Sequence, residues 1–397
     1  MNILDIKPGI HYVGVNDRTT TRFEALWSLP NGVSYNAYLV VGDQKTALID
    51  TVEQSYGSQL FQQIECTLQG RTLDYLVVNH MEPDHSSSII ALRHLYPNIK
   101  IIGNAKTLQM LAGYYGICDG TIEVSECDTL ALGDLTLSFA MIPMVHWPET
   151  MVTYCPERKT LFTGDAFGCF GALDGGITDR QLDPARYWDE MRRYYACIVG
   201  KYGAPVQKAP HKVRSLDLDT LCPTHGPVWQ QQIDTVIDLY DRMSRYEAQR
   251  GVVIAYGSMY GNTAQMADDM AHALAAEGVA PIVVYNLSTA DKSVVLRDIF
   301  RYDTLVVGSP TYNGELFPEV SALLQMVSER NIPARNFAFF GSFTWASAAL
   351  RRLQTFAEQM KWRTPCTPIE MKQGYNRTLY AERCHTLARE IAAMMKS

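Results

Sequence analysis

The segment that decides the fold spans residues 74–85 and reads DYLVVNHMEPDH. An apolar, β-branched run typical of a buried strand leads here into His80, Glu82, Asp84 and His85. Alternate residues of an extended chain point to the same side. We therefore expect His80, Glu82 and Asp84 to share one side and His85 to point the other way. Imidazoles and carboxylates this close together indicate a metal site.

Three more candidate ligands follow far along the chain: His146, Asp165 and His225. Each comes shortly after a strand-like stretch, as His80 does. The predicted strands of this half are residues 37–41, 46–50, 75–79, 100–103, 135–142, 151–155, 160–164 and 220–223. Sheet folds gather ligands from distant segments at the ends of strands. Four imidazoles and three carboxylates are enough to hold two adjacent metal ions.

The charge of these seven candidates favours iron over zinc. Two divalent ions carry four positive charges, which three carboxylates and one bridging hydroxide cancel. If both ions are oxidised to the trivalent state, an additional carboxylate in place of an imidazole stabilises that state. Mixed carboxylate–imidazole ligand sets are also typical of diiron proteins of other folds.

The sequence pattern changes at Gly251, after a polar helical stretch over residues 231–250. From there, strand-like and helix-like stretches alternate regularly. The helices are predicted at residues 263–277, 292–300, 318–329 and 348–359, with one more after Asn376. Five strands interleaved with helices predict an α/β domain with a doubly wound parallel sheet. We expect one domain over residues 1–250 and a second over residues 251–397.

Composition narrows the functional class. A net charge of −7 without a basic cluster argues against nucleic-acid binding. The sequence contains no stretch of eighteen apolar residues, so no membrane span is expected, and its first residues do not resemble an export signal. Nine scattered cysteines fit a reducing cytoplasm. The absence of a C-x-x-C motif excludes a fused rubredoxin-type iron site, so a one-electron carrier must be a separate protein.

Residues 1–250 resemble the metallo-β-lactamase superfamily, whose fold is an αββα sandwich with two metals at its rim. The usual motif of that superfamily is His-x-His-x-Asp-His, and Glu82 replaces its second histidine. With this glutamate, the pattern is similar to that of the flavodiiron proteins. The resemblance implies two non-haem irons with an oxo or hydroxo bridge as the catalytic centre. One iron would be held by His80, Glu82 and His146, and the other by Asp84, His85 and His225, with Asp165 bridging them.

The resemblance also bears on neighbouring residues. In some flavodiiron proteins, the residue that matches His85 is not a ligand. Three aromatic residues, Trp147, Tyr194 and Tyr195, are expected near the metals as packing groups rather than proton donors.

Residues 251–397 resemble the flavodoxins in three segments, which implies that they bind FMN. The hydroxyls of Ser258 and Thr263, with N–H groups at a helix start, can bind a phosphate without a cation, and Gly261 allows the tight turn. The predicted contacts are Ser258, Met259, Tyr260, Gly261, Asn262 and Thr263 in the first segment, Ser309, Pro310, Thr311, Tyr312, Asn313 and Gly314 in the second, and Ser342, Phe343, Thr344 and Trp345 in the third. Trp345 is expected to stack on the flavin ring. Thr344 stands where the family commonly has glycine, which puts the flavin potential in question.

Together these resemblances imply a cytoplasmic oxidoreductase that reduces O2 to water, NO to N2O, or both. Electrons would reach FMN from an external donor such as rubredoxin or a reduced deazaflavin. A head-to-tail homodimer, or a dimer of such dimers, would bring the flavin of one subunit to the irons of the other. Two alternatives remain at this point: a dizinc hydrolase with an appended flavodoxin domain, and an electron-carrier or redox-sensing module with a vestigial metal site.

Overall fold

The computed structural model describes residues 3–365 and 367–396. The chain divides into two compact units, Met1–Arg245 and Tyr246–Ser397. The predicted domain boundary, between residues 250 and 251, falls within the strand Gln249–Tyr256. Among the described residues, no helix combines the length and apolar character needed to cross a membrane.

The first unit is built on two large sheets. In spatial order, the strands of the seven-stranded sheet are Leu4–Lys7, Ile10–Tyr12, Tyr38–Val41, Thr46–Ile49, Tyr75–Val77, Lys100–Gly103 and Thr121–Glu123. Those of the five-stranded sheet are Thr129–Ala131, Thr136–Met141, Met151–Cys155, Thr160–Gly164 and Thr220–Pro223. Two short hairpins complete the strands of this unit: Val15–Asp17 with Val33–Tyr35, and Arg22–Phe23 with Trp27–Ser28.

Helices accompany these sheets and complete the layered sandwich that the sequence predicts. The α-helices are Gly57–Leu68, Pro83–Ser86, Ile89–Leu95, Ala105–Tyr115, Ala185–Tyr194, Gly203–Arg214 and Ile233–Ser244. Short 3₁₀ turns span Gln54–Tyr56 and Pro156–Arg158, and a π-helical turn spans Tyr195–Val199. The predicted helix over residues 231–250 is shorter than expected, because the chain leaves the helix after Ser244 and enters a strand at Gln249.

All eight strands predicted for this unit are present, within three residues of the predicted ends. Their central residues, such as Leu48, Leu76 and Leu161, are fully buried, which explains why the apolar pattern was easy to read. The strands that sequence reasoning missed are short and alternate less clearly; Thr121–Glu123, for example, lies at the edge of its sheet and is mostly exposed.

The second unit is the predicted five-stranded, doubly wound parallel sheet. The order of its strands is Ile282–Asn286, Gln249–Tyr256, Tyr302–Tyr312, Asn336–Phe343 and Ile369–Lys372. Its helices are Asn262–Ala276, Lys292–Arg301, Pro318–Glu329, Ala349–Met360 and Arg377–Met394. This order places the first strand, Gln249–Tyr256, second in the sheet and creates a switch point between it and Tyr302–Tyr312, where such folds bind their ligands. A short strand, Glu315–Leu316, pairs antiparallel with the end of Tyr302–Tyr312 and was not predicted.

Candidate functional site

The seven candidate metal ligands converge in the first unit as two groups. The first group consists of His80, Glu82, His146 and Asp165, and the second of Asp84, His85 and His225. Within each group, every residue offers a ligand atom within 4.8 Å of those of the others. Residues far apart in the sequence therefore meet at the strand ends, as their positions in the chain suggest.

Local structure fixes where these side chains point. Asp165 directly follows the strand Thr160–Gly164 and accepts a hydrogen bond from the Thr224 hydroxyl at 2.6 Å. His225, the next residue, donates from Nδ1 to the carbonyl of Ser34 at 2.7 Å. The buried carboxylate of Asp50 accepts from the backbone N–H of His80 at 3.3 Å, so the segment that carries His80 is tied to the neighbouring strand.

The predicted alternation along residues 80–85 is wrong. The chain turns into the short helix Pro83–Ser86 immediately after Glu82, because proline readily occupies the first turn of a helix. Successive residues of a helix are about 100° apart around its axis rather than on opposite sides. Asp84 and His85 therefore face the same group, together with His225, while Glu82 joins His80 in the other.

Asp165 lies between the two groups and presents a different oxygen to each. Its Oδ2 is 3.2 Å from Nε2 of His146 and 3.5 Å from Nε2 of His80. Its Oδ1 is 3.1 Å from Nε2 of His85 and 3.6 Å from Nε2 of His225. A carboxylate with this placement can bridge two cations.

Without metal, protons on the imidazoles compensate the buried carboxylates. Burial alone would lower the pKa of His146, but the carboxylates of Asp165 and Glu82 outweigh burial and raise that pKa to about 9. The pKa of His85 is also raised to about 9, against burial, by Asp84 and Asp165. Burial would raise the pKa of Asp165, yet the facing imidazoles hold it well below its usual value.

Atoms without hydrogen bonds show that this site suits cations. Both carboxylate oxygens of Asp84 are buried and accept no hydrogen bond, and Nδ1 of His85 also lacks a partner among the described residues. The partners of this carboxylate are Nε2 of His85 and of His225, 3.2 and 3.4 Å from Oδ2, and a buried carboxylate without a hydrogen bond is stabilised by a cation. The carboxylate and imidazole donors fit a hard or intermediate divalent ion such as ferrous iron.

Two further carboxylates lie at the centre that sequence reasoning did not identify. Glu149 is buried, and its Oε1 accepts from Nδ1 of His80 at 2.9 Å. Glu24, in the hairpin between Arg22–Phe23 and Trp27–Ser28, is near Glu82, and partial burial together with that carboxylate raises the pKa of Glu24 to about 7. No pattern in the sequence marks either residue, because each contact joins segments far apart in the chain.

The three predicted aromatic residues are all buried or packed near the metal centre. The Trp147 ring lies edge-on to His80, with centroids 5.4 Å apart. The Tyr194 ring is 5.6 Å from that of His225, and its buried hydroxyl has no hydrogen-bond partner among the described residues. Tyr195 packs edge-on against Tyr240 at 5.3 Å.

In the second unit, the three flavodoxin-like segments surround one cleft at the switch point of the sheet. Its lining consists of Ser258, Met259, Tyr260, Asn262, Thr263, Pro310, Thr311, Ser342, Phe343, Thr344 and Gln373. Gly261, at φ 88°, directly precedes the helix Asn262–Ala276, and Ser258 Oγ accepts from the Gly261 N–H at 3.2 Å. Hydroxyls and N–H groups thus meet at a helix start, where a phosphate binds favourably.

Several predicted contacts of the second segment do not line this cleft. Ser309 is fully buried in the strand Tyr302–Tyr312, where its hydroxyl accepts from the Phe317 N–H at 3.1 Å. Asn313 and Gly314, at φ 49° and 76°, form a two-residue turn that pairs Tyr312 with Glu315. The segment is therefore a hairpin rather than a loop, and the Asn-Gly pair was a sequence signal for it.

Outside the second segment, Gly261 and Trp345 also do not line the cleft, and Trp345 is 89% exposed at the end of its strand. Gln373, which follows the last strand of the sheet, does line the cleft and was not predicted.

Comparison with known proteins agrees with a metal-binding first unit and a flavodoxin-like second unit. Residues 33–226 match the family described as ODP family beta lactamase, and residues 254–386 match the flavodoxin family. The nitric oxide reductase of Moorella thermoacetica is 32% identical over 392 residues, which cover 98% of this chain and 98% of that protein. The chain belongs to the flavodiiron protein family.

Solved structures of flavodiiron proteins are similar over the full length. The rubredoxin oxygen:oxidoreductase of Desulfovibrio gigas has a TM-score of 0.94 at 29% identity and covers 100% of this chain and 99% of its own. The flavodiiron protein of Giardia intestinalis has a TM-score of 0.93 at 26% identity, with 100% and 98% coverage. The predicted family, the two-part fold and the oxidoreductase class are thereby confirmed.

Proposed function

We propose that this flavodiiron protein reduces O2 to water, NO to N2O, or both at an iron pair in its first unit, with electrons supplied through FMN in its second. The observation that carries the proposal is the position of Asp165, whose two oxygens face two separate groups of ligand atoms. Relatives with both names, a nitric oxide reductase and an oxygen oxidoreductase, support both substrates.

The residues divide between the two ions by the grouping of their ligand atoms. His80, Glu82 and His146 would hold one iron, Asp84, His85 and His225 the other, and Asp165 would bridge them. Iron held by these residues would supply the redox chemistry for reducing a diatomic molecule, and FMN held in the second unit would supply the electrons. The aromatic rings of Trp147 and Tyr194 pack against the ligand histidines and help to keep water away from the site.

The same reasoning assigns the flavin contacts. The N–H groups at the start of Asn262–Ala276, with the hydroxyls of Ser258 and Thr263, would hold the FMN phosphate. The Thr263 hydroxyl lies 3.0 Å from that of Ser342, which links the first and third segments across the cleft. Thr344 lines the cleft, so the prediction that it affects the flavin potential stands as part of this proposal.

Exposed side chains of the second unit support the proposal of external protein partners. Four apolar side chains of the flavodoxin-like segments are exposed: Met259, Tyr260, Tyr312 and Trp345. Exposed apolar residues around a redox cofactor support docking of another protein surface. We infer a head-to-tail homodimer, or a dimer of dimers, and a separate donor such as rubredoxin or a reduced deazaflavin. Buried cysteines such as Cys169, Cys222 and Cys384 are free thiols, which supports a reducing compartment, the cytoplasm.

The deciding experiment is anaerobic. The iron-loaded, FMN-loaded protein is reduced chemically and mixed with O2 or NO, and consumption of each gas and formation of N2O are recorded. Turnover of at least one gas supports the proposal. If the reduced protein consumes neither gas, the proposal is wrong.

Metal analysis separates this function from that of a dizinc hydrolase. Glu82 adds an anionic ligand that favours iron. About two irons per chain support the reductase, whereas zinc alone, with hydrolytic activity, would support the hydrolase.

A further inference from the structure

Glu149 places a buried carboxylate against Nδ1 of His80, the ring nitrogen that points away from the candidate metal site. It lies three residues after His146 and is 1% exposed. Its Oε1 accepts two hydrogen bonds, from Nδ1 of His80 at 2.9 Å and from the backbone N–H of Met81 at 2.8 Å. Because a carboxylate only accepts, both nitrogens must donate.

This arrangement fixes the state of the His80 ring. With Nδ1 donating to Glu149, Nε2 is the nitrogen that faces the first group, 3.2 Å from Glu82 Oε2 and 3.5 Å from Asp165 Oδ2, and loss of its proton would leave a lone pair for a metal there. A metal requires this orientation and this tautomer. The backbone carbonyl of Glu149 is held in turn by the Asn104 side-chain amide at 2.5 Å, so the carboxylate sits on a fixed support.

His225 and His85 differ from His80 in what their Nδ1 atoms contact. His225 donates to a neutral carbonyl, that of Ser34. Nδ1 of His85 has no partner among the described residues. Of these three histidines, only His80 donates to an anionic acceptor. A hydrogen bond to an anion makes an imidazole a stronger electron donor to its metal.

The charge of Glu149 also has a consequence for the iron pair. Glu82, Asp84 and Asp165 offset three of the four positive charges of two divalent ions, a bridging hydroxide would offset the fourth, and Glu149 adds one more negative charge beside a ligand. A negative charge next to a metal-binding histidine stabilises the more oxidised metal and lowers its reduction potential. Glu149 Oε2 is buried without a hydrogen bond, so its charge is not neutralised by other donors among the described residues.

We propose that Glu149 is a positioning residue that orients His80 for the first iron and lowers the reduction potential of the iron pair. The effect on potential rests on the proposed function, whereas the effect on metal retention does not. Two substitutions separate these effects. Glu149→Gln keeps an oxygen that accepts both hydrogen bonds but removes the charge, and Glu149→Ala removes both.

The test uses the full FMN-loaded chain, reconstituted anaerobically with ferrous iron. Glu149→Ala is expected to bind iron at the first group ~10–100-fold more weakly. Glu149→Gln is expected to retain both irons, but with a higher midpoint potential for the iron pair than the wild type. FMN content remains unchanged in both. Glu157→Gln is the matched control: that exposed carboxylate also accepts a backbone N–H, from Thr136 at 3.1 Å, and its loss should change neither quantity.

Wild-type affinity in Glu149→Ala would overturn the orienting role, and a wild-type potential in Glu149→Gln would overturn the redox role. If Glu149→Ala does not fold, ferrous affinity and potential of Glu149→Gln decide: the proposal requires near-normal affinity with a raised potential. Repeating the titration with zinc distinguishes failure of this inference from failure of the proposed function. A loss of zinc affinity in Glu149→Ala would uphold the orienting role even in a protein that reduces neither gas.

Discussion

The two halves of the metal centre differ in how much of their geometry is already fixed by the protein. In the first group, Glu82 Oε2 accepts from both His80 and His146, at 3.2 and 3.1 Å. In the second group, the two carboxylate oxygens of Asp84 and Nδ1 of His85 have no hydrogen-bond partner among the described residues. The first half is held by hydrogen bonds to Glu82, whereas in the second half Asp84 makes only ion-pair contacts, at 3.2 Å to Nε2 of His85 and 3.4 Å to Nε2 of His225.

The bridging residue belongs to both halves, so its loss should have the largest effect. Asp165→Ala is expected to lose most of the bound iron and all turnover, because neither group retains its shared anionic ligand. FMN should remain bound, since the flavin cleft lies in the other unit. Iron and flavin contents of the purified variant measure this. Full activity would refute the bridging role.

A matched pair of substitutions tests the difference between the halves. Asp84→Asn and Glu82→Gln should each lower iron content by about one ion per chain, because each removes an anionic ligand from one group. Their effects on the metal-free chain should differ in size. Glu82→Gln removes the charge of a carboxylate that accepts hydrogen bonds from two imidazoles and should destabilise the chain by about 1–3 kcal/mol, whereas Asp84→Asn loses only the ion pairs with His85 and His225 and should destabilise it by less, about 1 kcal/mol.

Denaturant unfolding of both metal-free variants gives these free energies. If Asp84→Asn destabilises the chain as much as Glu82→Gln, the halves are equally organised and the comparison does not hold.

A substitution in the other unit shows whether these effects are local. Asn262 opens the helix at the phosphate segment, and its side-chain oxygen accepts from the Tyr375 N–H at 2.9 Å. Asn262→Trp should lower FMN content several-fold because it fills the cleft, and it should leave both irons in place. Absorbance of the flavin and metal analysis check this, and normal flavin loading would count against the assignment of this segment.

The smallest expected effect is on pH dependence. In the metal-free chain, the pKa values of His85 and His146 are raised to about 9, from about 6.5 in an unfolded chain. Their contribution to stability is complete below about pH 6.5 and is lost as pH rises through 9. Asp165 and Glu82, whose pKa values are lowered, contribute above about pH 4 and lose that contribution in acid.

Metal-free stability should therefore be greatest between about pH 4.5 and 6.5 and should fall towards pH 9. The iron-loaded chain should not show the alkaline fall, because its imidazoles bind metal in the neutral form. Thermal unfolding from pH 5 to pH 9, with and without iron, measures the contrast. Identical profiles would show that the protons on these imidazoles do not stabilise the metal-free centre.

Sequence reasoning was most successful where periodicity and strand ends decide the structure. Buried strands such as Thr160–Gly164 and Thr220–Pro223 were predicted with correct bounds, and the ligands that follow them converge. The helix Pro318–Glu329 was also predicted with correct bounds, since proline marks its start. The motif that contains Glu82 resembles that of the family which the comparisons confirm.

What the sequence could not show are contacts between distant side chains. His80 and Glu149 are 69 positions apart, and nothing in the pattern around either residue indicates their hydrogen bond. The hairpin at Asn313 and Gly314 is a different case, because the Asn-Gly signal was present but no hairpin was predicted from it. At residues 80–85, alternation was assumed where Pro83 starts a helical turn.

Mössbauer spectroscopy of the chain reconstituted with ⁵⁷Fe under anaerobic conditions tests the central claim most directly. The account predicts about two irons per chain in two inequivalent environments, of which the one held by Asp84, His85 and His225 is the first to be removed by a chelator. A single iron environment, or a protein that accepts only zinc, would contradict it.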